Sequence, residues 1–257
     1  MRSAVHAEWT KLRTLPGPAV LAVACVVLTI GTSLLVSAIV KCPASCNADT
    51  TKLSLTGVLL GQAAVAMLAI GVVGPEYGTG LIKVTLAAMP RRSQVLAAKA
   101  VVVIGVVLVA GIVSVLGSLL AGRVLQPGNG FSAAHHIAAL SLSHGPTLRA
   151  AAGSVLYLAL IALLSLGLAL ALRDSAVAMT VMACLLYVIP LIGQVALSHR
   201  WQLRIDRWAP TTAGLAIQAT RNLAKLPIGP WPGLGVLAAW TAAALLLGYL
   251  LLRLRDA

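Results

Sequence analysis

Residues 100–122 read AVVVIGVVLVAGIVSVLGSLLAG, with Lys99 before them and Arg123 after them. No charged residue interrupts the run. A helix rises about 1.5 Å per residue, so a run of this length reaches roughly 34 Å and crosses a hydrocarbon core of roughly 30 Å. The β-branched stretch from Val101 to Val115 is too long and too evenly apolar for a strand. A barrel strand would alternate between apolar and polar residues, and this run does not.

The same reading extends along the chain. Charge-free runs lie between Arg13 and Lys41, Lys52 and Glu76, Arg149 and Arg173, Asp174 and Arg200, and Lys225 and Arg253. They predict spans near 17–40, 53–75, 100–122, 150–172, 175–198 and 231–252. Of the 257 residues, 60% are hydrophobic and 10% are charged, too little polarity for a soluble domain of this size. The fold class expected is an all-α integral membrane protein of six transmembrane helices in a single domain. The first run exceeds the apolar core of a signal peptide and is read as a retained span.

The formal net charge is +13. A nucleic-acid surface would gather its basic groups in one patch. Here Arg13, Lys99, Arg173 and Arg253 flank the apolar runs, where they meet lipid head groups. No nucleic-acid partner is expected. Basic residues in the N-terminal arm, in the loop after span two and at the C-terminus place both termini in the cytoplasm by the positive-inside rule. Residues 199–230 disagree: Arg200, Arg204, Arg207, Arg221 and Lys225 fall on the external side in this reading.

The chemistry expected of the chain is limited. No predicted span carries Asp, Glu, Lys, Arg or His, which argues against ion-coupled transport. The neutral polar residues Gln62, Gln194, Ser114, Ser118, Ser154, Tyr157, Ser165, Thr180 and Tyr187 are read as helix–helix bonds or the lining of a path. Gly57 and Gly61 permit close helix approach. His135, His136, His144 and His199 do not form a metal set. There is no paired-carboxylate, nucleophile–base or phosphate-cradling motif, so no catalytic residue and no bound cofactor is expected in this chain. Cys42 and Cys46, in the loop after span one, are expected to form a disulfide if that loop is external.

Two cytoplasmic segments stand out. In residues 1–16, Val5, Trp9 and Leu12 share a helical face while Lys11 and Arg13 lie off it, giving an interfacial helix in which Glu8 spoils the apolar face. Residues 75–99 read PEYGTGLIKVTLAAMPRRSQVLAAK. Pro75 and the Gly78–Thr79–Gly80 turn are expected to end span two. The apolar Leu81, Ile82, Val84 and Leu86 require a partner surface or the membrane interface. Glu76, at the low-dielectric edge, is costly unless paired, with Lys83, Arg91, Arg92, Lys11 or Arg13 as candidates.

These motifs, in this order, resemble the type 2 permease subunits of ATP-binding-cassette (ABC) exporters, especially small actinobacterial ones. The opening EWTKLR (Glu8 to Arg13) is similar to that family's amphipathic entry helix. The stretch from Glu76 to Lys99 is similar to its cytoplasmic loop, and Pro210–Gly214, Pro230–Trp231 and the closing RLRDA (Arg253 to Ala257) add to the likeness. The resemblance implies a permease in the cytoplasmic membrane that pairs with a second copy or a related chain and docks on a separate ATPase subunit. That subunit would bind ATP and Mg. The resemblance also implies a coupling interface at Glu76, Tyr77, Gly78, Thr79, Gly80, Lys83, Pro90, Arg91 and Arg92, with a re-entrant external segment at 199–230. The alternative expectation is a non-transport accessory or assembly subunit of the membrane.

Overall fold

The computed structural model describes residues 2–14, 16–42, 48–79, 92–131, 145–195 and 198–254. Among them, six helices are long and apolar enough to cross a membrane, and the protein is an all-α, multi-pass membrane protein.

The chain begins with α1 (Arg2–Thr14) and enters span one, α2 (Pro16–Ile39), at a proline. Proline suits the first turn of a helix, whose N–H groups have no intrahelical acceptor. A short helix, α3 (Thr50–Ser54), precedes span two, α4 (Val58–Gly78). Asp49 caps α3 by accepting from Lys52 N at 3.1 Å. Gly57 and Gly61 lie hard against span one: a Cβ at Gly57 would sit 1.9 Å from Thr29 O, and one at Gly61 would sit 2.0 Å from Thr29 Oγ1. The small-residue pair does set a close crossing, and Gly57 N donates to Ser33 Oγ at 3.2 Å.

Of the two stops expected for span two, Pro75 does not end the helix and the turn at Gly78–Thr79 does. The helix runs through Pro75 to Gly78, and Thr79 N closes the last turn on Pro75 O at 3.0 Å. Proline forfeits one hydrogen bond in a helix. The extra turn carries Glu76, whose ion pairs hold it in place. Span three, α5 (Arg92–Leu125), likewise starts before the predicted boundary. At 34 residues it is about 51 Å long, well beyond the hydrocarbon core. Lys99 therefore belongs to the spanning helix, and Glu76 to the other. Both residues lie just beyond the spans expected near 53–75 and 100–122, on the helical turns that continue them.

Span four, α6 (Gly145–Leu172), and span five, α7 (Ser175–Val195), are joined by a tight turn. Arg173 takes a left-handed conformation (φ 59°), and Asp174 caps α7 by accepting from Val177 N at 2.9 Å. A wide π-helical turn at Cys184–Val188 interrupts span five, with Ile189 N reaching back to Cys184 O. Pro190 follows it and cannot supply the usual N–H, which accounts for the irregularity there. Between spans five and six lie α8 (His199–Trp208) and α9 (Pro210–Leu215), and the chain then crosses in α10 (Pro230–Leu254).

Span four is the centre of the bundle. Its most apolar stretch is 72% buried and that of span two 61%, against 17% for span one and 22% for span five. Span six packs along span four through glycines: a Cβ at Gly167 would meet Ala244 C at 2.6 Å, and one at Gly248 would meet Gly167 O at 2.7 Å. Spans one and five leave most of their surface to lipid or to another chain.

Candidate functional site: a buried charge cluster where three helices meet

The extra turns of spans two and three bring together residues that the sequence holds far apart. Lys99 is fully buried. Its Nζ donates to Glu76 Oε1 at 2.7 Å and to Glu8 Oε2 and Oε1 at 3.1 and 3.2 Å. Lys11 Nζ closes the set, 2.9 Å from Glu76 Oε1 and 3.4 Å from Glu8 Oε1. Two carboxylates thus face two ammonium groups. The cluster is neutral, which is what makes its burial tolerable. Lys11 is the member nearest water, with its side chain 46% exposed. Burial by itself would lower its pKa. The hydrogen bond and charge of Glu76, and then Glu8, outweigh this, and the net direction is upward.

The cluster corrects three readings of the sequence. Glu8 does not spoil the packed face of α1. It is buried, and Leu12 is buried beside it, while Trp9 turns outward with about half its surface exposed. The packed face of α1 is therefore Val5, Glu8 and Leu12, not Val5, Trp9 and Leu12. Lys99 is not a head-group anchor but an internal ion-pair partner. Glu76 meets Lys11, one of the cations the sequence offers, and also Lys99, which lies outside that set. The available signal was one of parity: two acids and two lysines at the ends of apolar stretches on the same side of the membrane.

Around the cluster, Tyr77 lies beneath the Arg173 guanidinium, 5.7 Å from ring centroid to carbon, so the turn between spans four and five touches the end of span two. Gly78 and Thr79 finish the helix, and Arg13 is exposed. Arg92 begins span three. Gly80, Lys83, Pro90 and Arg91 lie outside the described residues, as do Cys46, His135, His136 and His144. Cys42 is disulfide-bonded, and Cys25 and Cys184 are free. Among the described residues no group of His, Cys, Asp or Glu could hold a metal ion.

Toward the opposite side of the membrane a second polar system braces the bundle. Tyr157 OH donates to Gln62 Oε1 between spans four and two, and Tyr187 OH donates to Leu59 O at 2.7 Å between spans five and two. Gln218 Nε2 reaches Ser154 Oγ at 3.1 Å. Gln62, Ser154, Tyr157, Ser114, Ser118 and Ser165 are all buried, whereas Thr180 and Gln194 are exposed on span five. Next to this network a cleft of ≈ 600 Å³ opens between the starts of span two and α9 and the end of span five, lined among others by Lys52, Gln194, Asp206 and Thr212. Asp206 has its pKa raised by burial, with Lys52 opposing.

Asp49, which the sequence reading passed over, ties this region together. Besides capping α3, it accepts from Thr220 N, from Thr220 Oγ1 at 2.7 Å and from Arg221 N at 2.9 Å. Arg149 Nη2 donates to Ala219 O in the same stretch. The segment before span six is thus clamped to the starts of spans two and four. No family model and no curated protein matches the chain.

Proposed function

We propose that the protein is the membrane-spanning permease subunit of an ATP-driven exporter. In this reading two such chains, identical or related, form the substrate path, and each docks on a separate ATPase subunit that supplies ATP and Mg. The protein lies in the cytoplasmic membrane with both termini inside.

One observation carries this reading. The segment proposed to receive the ATPase's motion begins after Glu76 and ends before Lys99, and those two residues are bonded to each other at 2.7 Å and to α1 through Glu8 and Lys11. A force applied to that segment would reach spans two and three and α1 as one unit. Glu76 Oε2 is buried and has no donor among the described residues. Support for pairing comes from span five, which is only 22% buried and exposes Thr180 and Gln194. The disulfide at Cys42, on the side opposite α1, favours that side as the oxidising one.

The test is purification from the native host in mild detergent. A soluble ATPase is expected to travel with the chain in a one-to-one ratio. The reconstituted assembly is then expected to hydrolyse ATP and move cargo together. Purification of the chain with no ATPase at any detergent strength would overturn the reading.

A further inference from the structure

Helix α8 (His199–Trp208) carries the basic residues that fit the topology least well. Arg200, Arg204 and Arg207 follow a helical spacing and form one stripe, while Trp201, Ile205 and Trp208 form the stripe beside it. Five crossings separate α8 from α1, so it lies at the leaflet facing away from the termini. A basic stripe there has no explanation in the positive-inside rule.

The structure gives it a local one. Trp201, Arg204, Ile205 and Trp208 form one wall of a groove of ≈ 370 Å³, closed by Ile189 of span five and Trp240 of span six. Trp240 Nε1 donates to Trp208 O at 3.0 Å, which fixes α8 against span six. Ile205 packs on Gly193, where a Cβ would come within 3.2 Å. The groove is open at the surface of the bundle: Trp201, Trp208, Ile189 and Trp240 are all exposed. The Arg204 guanidinium stands over the Trp201 ring at 5.0 Å, at the rim. Arg207 Nε donates to Pro227 O at 2.8 Å, and neither Arg200 nor Arg204 has a carboxylate within ion-pair distance among the described residues.

We propose that this groove is a binding site for one anionic glycerophospholipid of the leaflet facing away from the termini, with an acyl chain among Trp201, Trp208, Ile189 and Trp240 and its phosphate at Arg200 and Arg204. An apolar slot lined by aromatic rings and Arg204, with Arg200 one helical turn before it, matches both ends of such a molecule. The inference rests on the six crossings and on neither the export reading nor an ATPase. The site belongs to the outer leaflet under the orientation proposed above.

The test uses the full-length chain with Trp9 and Trp231 changed to Phe, in nanodiscs of unlabelled phosphatidylcholine. Lipids brominated on the acyl chain quench nearby tryptophans. Brominated phosphatidylglycerol is expected to compete for the site about thirtyfold better than brominated phosphatidylcholine, from roughly the contribution of two arginines at a membrane surface. Arg200→Gln with Arg204→Gln should abolish the preference, and Arg123→Gln, on the same side but away from the groove, should keep it. Circular dichroism and melting of each variant report on folding. Soluble glycerol phosphate should not relieve the quenching. Equal quenching by the two lipids, a preference that survives in the double variant, or relief by glycerol phosphate would overturn the proposal. So would crosslinking of Trp208→Cys between two copies, which would make this face a protein interface.

Discussion

Lys99 Nζ lies 2.7 Å from Glu76 Oε1 with the lysine side chain fully buried, yet the lysine does not depend on that carboxylate alone. Glu8 holds it through both of its oxygens. The two partners are therefore unequal. Lys99→Met leaves two buried carboxylates facing only the half-exposed Lys11. Breaking a buried pair in this way costs about 3–5 kcal/mol. Glu76→Gln leaves Lys99 paired with Glu8 and should cost clearly less. The expected order of stability in detergent is wild type, then Glu76→Gln, then Lys99→Met. Thermal unfolding of the purified proteins checks it, and the reverse order would disprove the arrangement. Under the proposed export function, Glu76→Gln is expected to keep membrane insertion and, in an assembly reconstituted with an ATPase, to reduce transport more than it reduces ATP hydrolysis.

The raised pKa of Lys11 gives a pH dependence of known sign. A lysine whose folded pKa exceeds its unfolded value contributes stability that is whole below the unfolded pKa and is lost as pH rises through the folded one. Against the effect of burial, Glu76 and Glu8 hold the Lys11 ammonium above the ordinary lysine value of 10.5. The difference in melting temperature between wild type and Lys11→Gln should be constant from pH 8 to about 10 and shrink above 10.5. A difference that shrank between pH 6 and 8 would mean that another group is responsible.

Asp49 accepts from two backbone N–H groups and a hydroxyl of the segment at 220–221 while capping α3. Asp49→Ala is expected to cost about 1–3 kcal/mol, since hydrogen bonds to a charged acceptor are among the stronger ones. It should also release Arg221, so that trypsin cuts there faster than in the wild type. Unchanged cleavage would show that the clamp does not hold the segment.

The crossing of spans one and two makes a contrast within one helix. A Cβ at Gly57 would fall 1.9 Å from the backbone oxygen of Thr29, and one at Gly71 would meet nothing within 4 Å. Gly57→Ala should destabilise by about 1–3 kcal/mol because a backbone must move. Gly71→Ala should be neutral or stabilising, as expected from helix propensity. Melting of the two variants side by side decides it, and equal effects would place the crossing elsewhere.

Topology is checked by single cysteines in a Cys-free background. Gly128, exposed in the turn after span three, should react as cysteine with an impermeant thiol reagent added to intact cells. A cysteine at Ser3 should resist it. Reaction at Ser3 from outside would invert the orientation.

The sequence by itself determined the number of spans and the fold class. Burying an uncharged run of about 20 residues in hydrocarbon is a property of the run, and no contact elsewhere alters it. It also allowed the close approach at Gly57 and Gly61, where span one takes the space that a Cβ would need. Only the tertiary structure decided where spans two and three end. Pro75 and Lys99 read as boundaries when each residue is considered alone. Glu76, Lys99, Glu8 and Lys11 neutralise one another in space, and the helices then extend through them. The same reason turned the packed face of α1 from Trp9 to Glu8. A buried charge is forbidden or required according to its partners, and those partners come from helices up to 91 residues apart.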